Sequence, residues 1–218
     1  MSQIKERPIL FSAPMVRAIL EGRKTVTRRT ISHKLTNRFD EPRGQADVDA
    51  GYPFVECEEG YFPALNFCPY GQIGDRLWVR ETFIDMQGTG VEHRPDPDDP
   101  LQRYAYAADY RPGSHSDEVR KDFGLKHKPS IHMPRAACRI LLEITDVRVE
   151  RLQGISGDQA EAEGVDAAMC QQFLETSPSR HQCKEAVIHG FAGLWQSTGG
   201  DWDANPWVWV VEFKRVTP

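Results

Sequence analysis

The chain has 218 residues, with 27 Lys and Arg against 32 Asp and Glu, for a formal net charge of −5. That length supports one well-buried core without demanding two domains, and the negative total argues against a generic nucleic-acid coat protein. No apolar run approaches the ~20 residues of a membrane span, and the charged start, Ile4-Lys5-Glu6-Arg7, has no signal-peptide core, so the protein is expected in the cytoplasm.

In chain order, Pro8-Ile9-Leu10-Phe11 reads as a first strand. Ser12 or Pro14 opens a helix over Met15 to Glu21, because Met15, Val16, Ile19 and Leu20 recur at helical spacing and Gly22 stands where a helix end needs positive φ. A strand over Thr25–Thr30 follows. From 32 to 67, Gly, Asp, Glu, Pro and Asn predict an excursion with little regular structure. Arg76 to Phe83 reads as a strand, 86–100 as a loop and Tyr104 to Ala107 as a short strand. Within the polar connection from Asp109 to Pro129 only Ser116–Phe123 has helical character.

Ala136 to Leu152 alternates over its length and predicts one bent strand, or two joined near Thr145-Asp146. Ser156 to Gly164 predicts a short helix with a Ser N-cap and a Gly stop. A longer helix is expected from about Lys184 to Gln196, with Ala186, Val187, Phe191, Leu194 and Trp195 on its apolar face. Asp201 to Pro206 is a loop, and Trp207 to Val216 a last strand. The sequence therefore predicts a single domain, 1–218, enlarged by insertions at about 32–67 and 84–130.

The five cysteines, Cys57, Cys68, Cys138, Cys170 and Cys183, are odd in number and contain no Cys-x-x-Cys pair. Reduced thiols are expected, with neither a disulfide framework nor a structural zinc. No P-loop, dinucleotide fingerprint or metal-ligand helix occurs, so no cofactor is expected.

Charge is unevenly spread. Residues 1–43 carry ten Lys and Arg against four Asp and Glu, a balance of +6 that leaves −11 for the remainder. The densest stretch is Gly22-Arg23-Lys24-Thr25-Val26-Thr27-Arg28-Arg29, whose four cations either face solvent or line a site that receives negative charge. Lys24, flanked by Arg23, Arg28 and Arg29, has its charged form opposed by like charge, which favours a lysine basic near neutral pH; the plainer reading is a solvated side chain. Thr27 needs a base to act as a nucleophile, and Lys24 is the near candidate; otherwise it is a β-branched strand residue. Three apart on a regular strand, Lys24 and Thr27 point to opposite faces, so they share a pocket only if Lys24 still belongs to the turn after Gly22 or a bulge intervenes.

Gly22 to Arg29 resembles the GxKxxExR signature of the ASCH domain family, with Thr27 where many members carry Glu. The Lys-x-x-Thr-x-Arg form is similar to that of bacterial N4-acetylcytidine amidohydrolases. Gly74-Asp75-Arg76-Leu77-Trp78-Val79-Arg80-Glu81, Ile155 to Val165 and Trp207 to Lys214 extend the likeness to both ends of the chain. With Lys128-Pro129-Ser130-Ile131-His132-Met133-Pro134-Arg135, the whole is also similar to larger ASCH proteins of phages and prophages. The resemblance implies an α+β fold, a PUA-like mixed or antiparallel β-barrel with peripheral helices.

It further implies a hydrolase acting on a modified nucleoside or nucleobase amide such as N4-acetylcytidine. In that scheme Lys24 activates Thr27 or a water, Arg29 orients the substrate and Glu163 passes a proton to the leaving amine, with Glu161 as the competing carboxylate. Arg28, Glu81, His132, Arg135 and Trp202 are further candidates for substrate binding. Glu81 is equally readable as an ion-pair partner of Arg80 or Arg76, and His132 and Arg135 as a stiff loop between prolines. Trp202 offers a face for stacking. The alternatives are a non-catalytic RNA-binding module on the same basic face, taking a short single-stranded RNA, and a ribonuclease using the same pocket.

Overall fold

The computed structural model describes residues 4–40, 53–94, 98–110, 113, 115–165, 170 and 184–217. The chain is α+β, and its largest element is a mixed five-stranded sheet in the order β1-β5-β8-β9-β2. β1 (Glu6–Leu10) runs parallel to β5 (Arg76–Arg80). β8 (Leu141–Arg151) and β9 (Trp207–Val216) form the long antiparallel centre, and β2 (Val26–Thr30) pairs antiparallel with the far side of β9. β9 suits that central place because Val208 to Val211 are buried without alternation, as a strand covered on both faces requires.

The two edge strands are consecutive in the chain, joined by α1 (Ala13–Leu20). At the end of α1, Gly22 takes φ +76 and donates to Ile19 O while Arg23 N donates to Ala18 O. This pair of bonds is a Schellman ending, and it turns the chain back towards β2. Among the described residues β1 and β2 do not pair, so the sheet is open rather than a closed barrel. The gap is bridged by a side chain, the Arg29 Nη2 donating to Leu10 O at 2.6 Å.

Each face of the sheet has its own core. On one, Phe11, Leu77, Val79, Leu142, Ile144, Trp209 and Val211 pack under α1 through Val16 and Ile19. On the other, Val26, Val208 and Val210 lie under α4 (Gly157–Ala162) and α5 (Lys184–Ser197) through Ala160, Phe191 and Trp195. The bend expected near Thr145-Asp146 is a register shift between Ile144 and Asp146 within one continuous strand.

Two expectations need correction. The excursion at 32–67 is more ordered than its composition indicates, with α2 (His33–Thr36), a hairpin of β3 (Phe54–Cys57) and β4 (Gly60–Pro63), and a 3₁₀ turn at Ala64–Phe67; residues 41–52 lie outside the described residues. The strand read through Phe83 breaks after Arg80, and β6 (Phe83–Asp85) instead pairs with β7 (Tyr104–Tyr106) over a small separate core of Ile84, Met86 and Ala105. The helix expected near 116–123 is α3 (His115–Asp122). Cys57, Cys68 and Cys138 are free thiols, Cys170 is buried, and Cys183 lies outside the described residues. No helix among the described residues is long and apolar enough to cross a membrane.

Leu142 is fully buried near the start of β8. Leu142→Ala should destabilise the protein by about 2–5 kcal/mol, read as a lower urea midpoint at an unchanged slope.

Candidate functional site

Lys24 stands outside β2, just past the turn at Gly22, in an isolated bridge with Glu163, and this does not bring it into one pocket with Thr27. Thr25 N donates to Ala162 O at 2.8 Å, which lays the end of α4 along the start of the β2 edge. Gly164, at φ +91, is confined by the same contact: a Cβ there would meet the Ala18 Cβ at 2.9 Å and the Lys24 Cβ at 3.2 Å. α4 is set by a capping box in which the Ser156 hydroxyl accepts from Gln159 N and the Gln159 side chain accepts from Ser156 N.

This docking buries an ionic cluster. Lys24 Nζ donates to Glu163 Oε2 at 2.6 Å, to Glu163 O at 2.9 Å and to Val26 O at 2.8 Å, so all three ammonium hydrogens have acceptors. Arg28 joins from β2, its Nη1 3.4 Å from Glu163 Oε1 and its Nη2 donating to Gln159 Oε1 at 2.9 Å and Glu150 Oε2 at 3.1 Å. The Lys24 side chain is 0% exposed and that of Glu163 4%. Burial, the largest cause, pushes the Lys24 pKa down; Glu163 opposes the shift, and Arg29 and Arg28 add to it. Like charge was the expected cause, but desolvation outweighs it. Arg23 takes no part, pairing instead with exposed Glu21 and with Gly164 O.

Beside the cluster, in the gap between the two sheet edges, lies a cavity of about 560 Å³. Thr27, Arg28, Arg29 and Glu163 line it, with Phe11 on one side and Phe191 and Trp195 on the other. Alternation along β2 sends Arg29 over the Phe11 ring at 5.1 Å and Arg28 over the Phe191 ring at 6.0 Å, on opposite faces of the sheet. Thr27 is 3% exposed and pairs with Val211 in the ladder. Lys24 lies behind Glu163 and is not part of the cavity wall.

The other candidates are not brought here. Glu81 is buried against neither Arg80 nor Arg76 but against Arg139, whose Nε and Nη2 donate to its two oxygens at 2.9 and 3.0 Å; its neighbour Thr82 reaches the cavity wall instead. Burial, chiefly, pushes the Glu81 pKa up. His132 is exposed, and Arg135 is exposed and paired with Glu6, while Ser130 from the same turn lines the cavity. Trp202 packs edge-on to Phe191 at 6.1 Å, behind the wall. Glu161, the competing carboxylate, is exposed, leaving Glu163 as the buried one. Glu150, Gln159 and Arg139 carried no sequence signal, because each gains its meaning from a partner over 50 residues away. Phe191 and Trp195 were readable as core and are both core and wall. Among the described residues no group of His, Cys, Asp or Glu could hold a metal ion.

Comparison of the chain with protein-family models, with curated proteins and with solved structures finds no match.

Lys24→Met removes one partner of a buried ion pair and leaves Glu163 with only the 3.4 Å approach of Arg28. A loss of about 3–5 kcal/mol in unfolding free energy is expected, and a urea midpoint equal to wild type would contradict the pairing.

Proposed function

We propose that the cavity hydrolyses a modified nucleoside or nucleobase amide, N4-acetylcytidine being the simplest case, in a PUA-like ASCH domain whose incomplete barrel opens between β1 and β2. The observation that carries this reading is the placement of Glu163: a carboxylate at the wall of a nucleoside-sized cavity, with Lys24 fixed behind it, Arg28 beside it in the wall, and hydroxyl and aromatic side chains around it. The Lys, Thr and Glu named by the resemblance thus lie at or directly behind one wall, although they come from two distant segments.

On this reading Glu163, not Lys24, handles the proton, because Lys24 has its three donors engaged and is walled off from the ligand. Glu163 takes a proton from a water whose oxygen adds to the acyl carbon. The C–N bond then breaks, and the same proton passes to the leaving amine, giving cytidine and acetate. Lys24 and Arg28 hold the carboxylate in place, and Arg29 orients the substrate.

The filled donors of Lys24 also favour a second reading, a non-catalytic module that binds a short single-stranded RNA. Turnover separates the two. Pure protein incubated with N4-acetylcytidine should release cytidine, followed by chromatography. Glu163→Asp, which keeps the charge facing Lys24 but withdraws it by one methylene, should lower kcat about 10²-fold with KM little changed. Thr27→Val should stay within a few-fold of wild type if water is the nucleophile. No cytidine at high enzyme concentration would leave the binding module, and release of RNA fragments instead would indicate cleavage.

A further inference from the structure

Charge around the cavity does not balance. Lys24 and Arg28 share Glu163, and Arg28 also reaches Glu150. Among the described residues Arg29 forms no ion pair: its Nη2 donates to Leu10 O, its guanidinium lies over the Phe11 ring, and its Nε is buried without a partner. Glu163, the one carboxylate among the described residues that line the cavity, is already engaged by two other cations. Burial pushes the Arg29 pKa down, with Tyr70 and Glu163 opposing. A largely desolvated guanidinium without a carboxylate is costly unless something else brings negative charge to it.

A second donor in the wall also calls for a ligand acceptor. Trp195 is nine-tenths buried, and among the described residues its indole N–H has no partner. Gly200 packs against the face of the indole, where a Cβ would come within 2.2 Å of Nε1, 2.6 Å of Cδ1 and 2.7 Å of Cε2. Unpartnered guanidine Nε atoms also occur at Arg76 and Arg80, so weight falls on the missing carboxylate and the indole rather than on Nε alone. The polar remainder of the lining is hydroxyl: Ser12, Thr27, Thr30, Thr82, Ser130 and Thr198. Guanidinium and hydroxyl donors around an excess positive charge form a set suited to phosphate oxygens.

We infer that the cavity takes a phosphate-bearing substrate, a nucleotide rather than a free nucleoside, with Arg29 as the phosphate donor and the Trp195 indole N–H, on the opposite wall, as a donor to another part of the same ligand. The phosphate inference stands on the cavity itself; the nucleoside part of the ligand rests on the reading proposed above.

Titration calorimetry with cytidine, cytidine 5′-monophosphate and inorganic phosphate tests it without requiring turnover. The monophosphate should bind at least about tenfold tighter than cytidine, and inorganic phosphate should compete with it. Arg29→Met should abolish the preference for the monophosphate over cytidine, and Arg29→Lys should keep part of it. Trp195→Phe, which keeps a ring and deletes the N–H, should weaken cytidine and its monophosphate alike and leave the preference unchanged. A trinucleotide without a terminal phosphate that binds as tightly as the monophosphate would assign the donors to a diester of RNA, and a weaker one to a monoester. Equal affinities for cytidine and its monophosphate, or a preference surviving Arg29→Met, overturns the inference. Phosphate binding that depends on Arg29, with no binding of any cytidine compound, would keep the inference and remove the nucleoside reading.

Discussion

The burial of Lys24 against Glu163 is the interaction on which the remaining structure around the cavity depends. An ammonium taken out of water is tolerated only with its hydrogens satisfied and an opposite charge at hand, and both acceptor oxygens other than Val26 O belong to Glu163. That requirement ties the turn after α1 to the end of α4, 139 residues further along the chain. The same contact brings Ala162 O onto the first N–H beside β2 and confines Gly164 between Ala18 and Lys24. Fixing Glu163 also fixes Arg28, whose other partners, Gln159 and Glu150, come from α4 and β8. One ion pair therefore sets the position of the carboxylate, of a guanidinium and of one wall of the cavity.

The sheet makes room for that cavity by leaving its ends apart. β1 and β2 occupy opposite edges although only α1 separates them in sequence. Side chains at the two edges, rather than a further row of main-chain hydrogen bonds, face one another across the gap. Arg29 crosses it to Leu10 O, and Phe11 lies beneath both Arg29 and Lys24. An aromatic ring under two cations at an open edge gives a surface that is apolar in area and positive in potential. The acidic remainder of the chain keeps this positive region small, since charge beyond it is taken up in ion pairs such as Arg148 with Glu150, Asp146 and Glu212.

Local patterning was sufficient for the elements that are self-contained. The positive-φ stop at Gly22, the Ser156 cap, the apolar faces of α1 and α5, the bend in β8 and the span of β9 follow from the spacing of a few neighbouring residues. Composition misled at 32–67, where a tight turn between Cys57 and Gly60 makes a hairpin from residues that also suit a loop. It misled again at Arg80, because a strand's end is decided by what it pairs with, and β6 pairs with β7 rather than continuing β5. The open sheet was equally out of reach: whether two edge strands meet depends on twist and coiling accumulated over five strands.

For the site, the sequence alone singled out the cation-rich stretch, because four cations in seven residues demand either solvent or a partner wherever the chain goes, whereas Glu163 and Glu161 were implied only by the resemblance. Only the tertiary structure chose between those outcomes, residue by residue. It exposed Arg23, buried Lys24 and Arg28, left Arg29 without a carboxylate, and sent Glu81 to Arg139 instead. The physical reason is that the state of a charged side chain is set by its desolvation and by partners within a few ångströms, and the charged partners of Lys24, Arg28 and Glu81 lie 58 to 139 residues away in sequence.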